Sequence, residues 1–254
     1  MFCALRIYEK NKTIADKLFG FMLKNEYKVT TVPVYKAAPF FLLDVTVHKK
    51  YPDAENIISR VGKCALRLVT SSRDRLQGTD GIGFFDSNLL YDKVIKNTFI
   101  KILENNFAML PTDLCVIDTE GKNKDFVISV CKFAATLSVV TENKTDYLSV
   151  CDEITELTGI CPVLKNKVEN ENIDLYTDEN KITVINQDDR TDILKGDKII
   201  MPDIYAKIIP EGVPELEFYS ALYELCGVFA LGDCVFEYIT VNNEKKRVAD
   251  VHFT

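Results

Sequence analysis

Apolar positions along the chain switch repeatedly between a period near two and a period near 3.6, the signature of strands interleaved with amphipathic helices. Residues 2–8, FCALRIY, predict a first strand, and Ile14, Leu18, Phe21 and Met22 follow at helical spacing. Residues 28–35 and 40–48 are rich in Val, Thr and aromatics, and the intervening KAAP predicts a hairpin turn between them. A second helical stripe, Ala54, Ile57, Ile58, Val61 and Cys64, begins just after Pro52, and LRLVT at 66–70 predicts a further strand. This βαββαβ order predicts an N-terminal α+β region, either ferredoxin-like, with two helices over a four-stranded sheet, or an extended Rossmann-like half.

A polar, glycine-bearing loop leads to a long helix carrying Leu90, Val94, Ile95, Phe99, Ile102 and Leu103 and ending near Glu104. The segment AMLPTD at 108–113 carries a proline that favours an extended connection, so the expected division is 1–110 and 111–254. Beyond it, DLCVID at 113–118, TLSVVT at 136–141 and CPVL at 161–164 are short apolar runs suited to buried parallel strands. Between them lie helical stripes: Phe126, Val127, Val130, Cys131 and Ala134, then Tyr147, Cys151, Ile154 and Leu157 with Asn143 or Thr145 as cap and Gly159 as stop. Connections of this length exclude hairpins and predict a Rossmann-like, mostly parallel sheet, so the expected class is α/β.

From 165 to 197 the chain turns acidic and polar, with short strands expected at 173–176 and 182–185. DKIIMP at 197–202 reads as another buried strand, and Pro214 opens a helix with Leu216, Tyr219, Leu222, Tyr223 and Cys226 before Gly227. Residues 234–241 and the tail RVADVHF predict two strands separated by the charged turn NNEKK.

Composition narrows the class. In a chain of 254 residues, 47% hydrophobic content is enough for a packed core and argues against disorder. The longest apolar runs, such as PFFLLDV at 39–45, are too short and too charged to span a bilayer, and the first residues show no secretory leader. Eight cysteines sit within apolar patterns without a C-x-x-C spacing, which suits reduced core thiols. The expected setting is soluble and cytoplasmic. With only two histidines, His48 and His252, a zinc site of the usual spacing is not expected, and no metal site is assigned.

The net charge of −7 hides an asymmetry: residues 1–110 carry 17 basic and 11 acidic side chains, the remainder 14 and 27. A basic first part suits a phosphate-bearing partner as well as a merely solvated surface. Nucleic-acid binding is disfavoured, because APFFLLDVTV lacks the basic and glycine pattern of an RNA-recognition strand and Phe40 and Phe41 point to opposite faces.

Ligands in open α/β sheets bind beyond the carboxyl ends of strands, which directs attention to the loops after LRLVT, CVID, SVVT and IIMP. The first, SSRDRLQGTDGIGFFDS at 71–87, offers Ser71, Ser72, Arg73, Arg75, Gly78, Gly81 and Gly83. Hydroxyls, guanidinium groups and open backbone amides are what phosphate oxygens require, although the Gly-Lys-Ser/Thr of a Walker A loop is missing. The second loop, DTEGKNKD after residue 117, has one glycine where a dinucleotide fingerprint needs three. Asp118 and Glu120 stand two apart, the spacing that places two carboxylates on one side of an extended segment, so a metal-dependent enzyme is an alternative. The competing role for Asp118 is helix capping. Glu142, at the end of the next strand, occupies a position from which a carboxylate can hold a ribose hydroxyl. No nucleophile elbow and no histidine with a sequence partner is present, so catalysis is not assigned, nor a cofactor. The leading expectation is a small anionic or nucleotide-like ligand in a cleft between the two parts, held by Ser71, Ser72, Arg73, Arg75, Gly81, Gly83, Asp118 and Glu142. The alternative is a non-catalytic structural or interaction scaffold, including a homo-oligomer.

Overall fold

The computed structural model describes residues 1–9, 24–48, 50–107, 112–168, 173–178, 181–186 and 189–252. The expected helix at Ile14 to Met22 and most of the expected boundary segment at 108–113 lie outside the described residues. In chain order the strands are β1 (Cys3–Glu9), β2 (Glu26–Val34), β3 (Ala37–Val47), β4 (Leu68–Val69), β5 (Thr112–Ile117), β6 (Ala134–Val140), β7 (Val163–Lys165), β8 (Ile173–Asp178), β9 (Lys181–Asn186), β10 (Asp189–Ile200), β11 (Val235–Val241) and β12 (Glu244–Arg247). The described helices are α1 (Ala54–Val61), α2 (Leu89–Phe107), α3 (Lys124–Val130), α4 (Lys144–Thr158), α5 (Asp203–Ala206) and α6 (Glu215–Cys226). The protein is α/β with two mixed sheets, and no described helix is long and apolar enough to cross a membrane. The chain gathers into two units, Met1–Leu90 with Met201–Gly232, and Tyr91–Ile200 with Asp233–Thr254.

In the first unit the strand order is β2-β3-β1-β4. β1 runs parallel to both β3 and β4, and β2 runs antiparallel to β3 across the expected hairpin. A helical crossover preserves strand direction and a hairpin reverses it, so a split βαβ unit would set β1 against β3. Here β1, β3 and β4 share one direction, which leaves the strand order of that unit but not its polarity. β1 is central and apolar on both faces. Cys3, Leu5 and Ile7 join Leu43, Val45 and Val47 beneath Ile57 and Val61 of α1. On the other face Phe2 stacks on Phe40 with ring centres 5.2 Å apart, and Phe218 of α6 meets both edge-on at 5.7 and 5.1 Å. Asp53 caps α1 by accepting from Asn56 N at 2.8 Å, and Gly62, at φ 55°, ends it, so Cys64 falls in the following 3-10 turn rather than on the helical stripe.

The sheet of the second unit has the order β12-β11-β10-β9-β8-β5-β6-β7. β8, β5, β6 and β7 are mutually parallel neighbours, with α3 and α4 in the crossovers, whereas β8 to β12 form an antiparallel succession. The expectation of a mostly parallel sheet is therefore met by half of the strands. Residues 197–200 end the 12-residue β10, antiparallel to both neighbours, and do not form a separate parallel strand. The reason is connection length: two residues separate β8 from β9 and β9 from β10, and a crossover needs about a dozen. The turn expected at 242–246 contracts to Asn242 and Asn243, whose φ of 48° and 68° suit a tight two-residue hairpin, and Glu244 to Lys246 enter β12. On α4, Tyr147, Val150 and Ile154 are buried while Leu157 stays exposed. The cap of that helix is Asn143, not Thr145.

Candidate functional site

In the first unit the carboxyl ends of the parallel strands β1 and β4 deliver Arg6 and Tyr8 on one side and the loop beginning at Ser71 on the other. Between them lies a cavity of about 370 Å³, lined by these residues with Ser72, Arg75 and Glu211. Arg6 stands opposite Asp44 in the β1–β3 register and binds it through two parallel bonds, Nε to Oδ1 at 2.7 Å and Nη2 to Oδ2 at 3.0 Å. Its guanidinium lies 5.3 Å from the ring centre of Tyr8. The bonded Asp44 carboxylate, above all, raises the Arg6 pKa further, so this cation is fixed in charge and direction. Burial, more than any other influence, lifts the Tyr8 phenol above its ordinary range, with the field of Glu211 adding to it.

The loop wall is held by its own bonds. Ser71 Oγ donates to Gly212 O at 2.8 Å, Ser72 N donates to Thr70 Oγ1 at 3.1 Å, and Arg75 N donates to Ser72 O at 3.1 Å, closing the 3-10 turn Arg73–Arg75. Arg75 is the less committed cation: its guanidinium is partly exposed and reaches Glu9 only at 3.8 Å. Ser71, Ser72 and Arg75 thus border the cavity. Arg73 instead lies over the ring of Phe84 at 4.9 Å. Gly81 and Gly83 serve local packing. A Cβ on Gly83 would stand 2.5 Å from the carbonyl oxygen of Leu66, and one on Gly81 3.0 Å from Ile58. Gly83 also bridges the chain, donating to Ala65 O and accepting from Leu68 N.

Asp118 and Glu142 belong to the second unit. β6 and β7 lie on one side of β5 and β8 on the other, so the end of β5 is a topological switch point, the usual place for a ligand in such sheets. Asp118 follows β5 there and is 3% exposed. Its carboxylate accepts from Lys122 N at 3.1 Å, Asn123 N at 2.8 Å, Asn123 Nδ2 at 3.1 Å and Tyr147 Oη at 2.5 Å. The two backbone amides belong to the turn that leads into α3, so the carboxylate closes the loop between β5 and that helix. Asn123 Nδ2 also donates to Thr177 Oγ1 at 3.0 Å, and that hydroxyl donates to Ile117 O at 3.2 Å, tying β8 to β5 across the crevice. Burial first, and the Asp118 bond second, push the Tyr147 phenol far above its ordinary range, so it remains a donor.

Glu120 is exposed and paired with Lys122, and Glu142 is exposed, engaged here through its backbone, with N donating to Thr119 O at 3.1 Å. Among the described residues no group of three or more His, Cys, Asp or Glu is placed to hold a metal ion.

Arg6, Tyr8, Asp44, Asp74 and Glu211 escaped the sequence reading. For the first and third a signal exists: one charged residue interrupts each of two otherwise apolar runs, CALRIY and FFLLDV, and partnered charges are what such runs admit. Glu211 carries no such mark. No family model, curated protein or solved structure matches the chain.

Proposed function

We propose that the protein binds a small anionic ligand in the first-unit cavity, with Arg75 and Ser72 facing its charged group and Ser71 fixing the loop to Gly212. The carrying observation is convergence: two hydroxyl side chains and a loosely engaged guanidinium stand beside one cavity at the carboxyl ends of two parallel strands. Arg6, locked onto Asp44, contributes a rigid wall more than a free charge. The volume, about 370 Å³, is near the lower end of the ~300–1,000 Å³ typical of ligand pockets, which suits a sugar phosphate or the phosphate-bearing half of a nucleotide better than a dinucleotide. The second unit has a supporting role in this reading: its block β8-β5-β6-β7 is Rossmann-like, and its switch point is occupied by Asp118.

The test is a thermal-shift and calorimetric series at low ionic strength with inorganic phosphate, sugar phosphates and mononucleotides. Stabilisation of about 2.7 kcal/mol is expected at a hundredfold excess over the dissociation constant, and Arg75→Ala should weaken binding at least tenfold. Absence of stabilisation by any compound would defeat the proposal.

A further inference from the structure

We infer that the ligand of this cavity is a zwitterion, carrying a cationic amine as well as its anionic group. The inference rests on the reading of the cavity as a ligand site and concerns what else that ligand must bear.

Among the described residues the charges that line the cavity do not favour a pure anion. Arg6 is neutralised by its two-bond contact with Asp44. Arg75 is the other cation among the described residues that line the cavity, and it already shares its charge with Glu9 at 3.8 Å. Two carboxylates, Asp74 and Glu211, border the same cavity, both exposed and without an ion pair among the described residues. They come from different places in the chain. Asp74 sits between Ser72 and Arg75 in the 3-10 turn, whereas Glu211 precedes α6 beside Gly212, whose carbonyl oxygen receives the Ser71 hydroxyl.

A ligand bearing only negative charge would satisfy Arg75 and Ser72 while standing near two carboxylates that have no ion pair among the described residues, and like charges at close range repel. A purely cationic ligand leaves Arg75 and Ser72 without use. A compact molecule with an ammonium a few bonds from a phosphate or carboxylate answers both walls. Specificity would then come from repulsion of simple anions as well as attraction of the amine.

Calorimetric titration of the full chain at low ionic strength with matched pairs tests this: 2-aminoethyl phosphate against ethyl phosphate, and β-alanine against propionate. The amine-bearing member of at least one pair should bind ten times tighter or more. In the double variant Glu211→Gln, Asp74→Asn that advantage should vanish while ethyl phosphate binding is kept or improved; both substitutions are exposed and conserve shape. Arg75→Ala should weaken both members.

Equal affinity within both pairs overturns the zwitterion and leaves anion binding standing; no binding of any of the four also overturns the zwitterion, and anion binding then stands or falls by the phosphate, sugar-phosphate and mononucleotide series. An amine advantage that survives the double variant also overturns the inference, because the two carboxylates would then not be its cause. Sedimentation with phosphatidylethanolamine vesicles identifies the same chemistry in a lipid headgroup; binding of free 2-aminoethyl phosphate without sedimentation assigns it to a soluble ligand.

Discussion

A carboxylate buried away from water persists only where donors replace its hydration, and Asp118 has four such contacts, two from backbone amides and one each from Asn123 and Tyr147. The tyrosine contact can be removed by taking away one hydroxyl while the ring stays in place. Tyr147→Phe should cost about 1–3 kcal/mol, the range for a buried polar group losing a partner. Urea unfolding of the variant measures it; an unchanged midpoint would show the bond to be idle. The Arg6–Asp44 pair obeys the same rule at a less buried site. Both charges lie in runs otherwise apolar and each supplies what the other needs, but their alignment across β1 and β3 came from the strand register, which neither run carries. Which of Ser71, Ser72, Arg73 and Arg75 would face a cavity was not legible either, because a loop's side-chain directions follow from its tertiary bonds. In the event Arg73 stacked on Phe84 and Arg75 did not.

At the scale of elements, periodicity identified β5, α3, β6 and α4 because each buries a repeating face against the sheet, and such repeats survive in sequence. Their pairing was less legible. Short acidic strands at 173–176 and 182–185 were visible, yet whether β10 joined them antiparallel depended on a two-residue connection that carries no strong turn signal. β10 contains one further device. Its register slips between Leu194 and Gly196, and the latter lies so close to the buried ring of Phe236 that an added Cβ would approach within 1.9 Å. Gly196→Ala should therefore destabilise the protein by about 3 kcal/mol or more, beyond ordinary strand preference. In a Phe236→Ala background the same change should cost less than about 1 kcal/mol. A thermal or urea double-mutant cycle gives the comparison, and equal costs in both backgrounds would refute the packing explanation.

For the molecule as a whole, burial of thiols and phenols shapes its behaviour in alkali, and three such groups lie in the first unit. Burial is the leading cause that pushes the Cys3 thiol up to about 12 and the Cys226 thiol up to about 11, from an ordinary value of 9.0. It likewise pushes the Tyr219 phenol up to about 12 from 10.0. Each group keeps its proton longer in the folded chain, so its contribution is fully present below pH 9 and is lost as pH rises through the folded values. Stability should be level up to about pH 9 and then fall by up to ~1.4 kcal/mol per pH unit for each such group. Denaturant titrations from pH 7 to 11 test the slope, and Cys3→Ala combined with Cys226→Ala should flatten it between 9 and 11.

Read alone, the sequence determined that strands and amphipathic helices alternate, which faces of most of them are apolar, and that hydroxyls, arginines and glycines concentrate in one loop. These are local properties, written in spacing and residue type, and the strands and helices formed because their buried faces were already present in that pattern. The tertiary structure alone decided that residues 201–232 return to the first unit, bringing Phe218 onto Phe2 and Phe40 and Glu211 to the cavity, and that Asp118 turns inward onto the amides of Lys122 and Asn123. Those outcomes depend on contacts between residues far apart in the chain, where the free energy belongs to a pair of surfaces and neither partner's sequence carries it by itself.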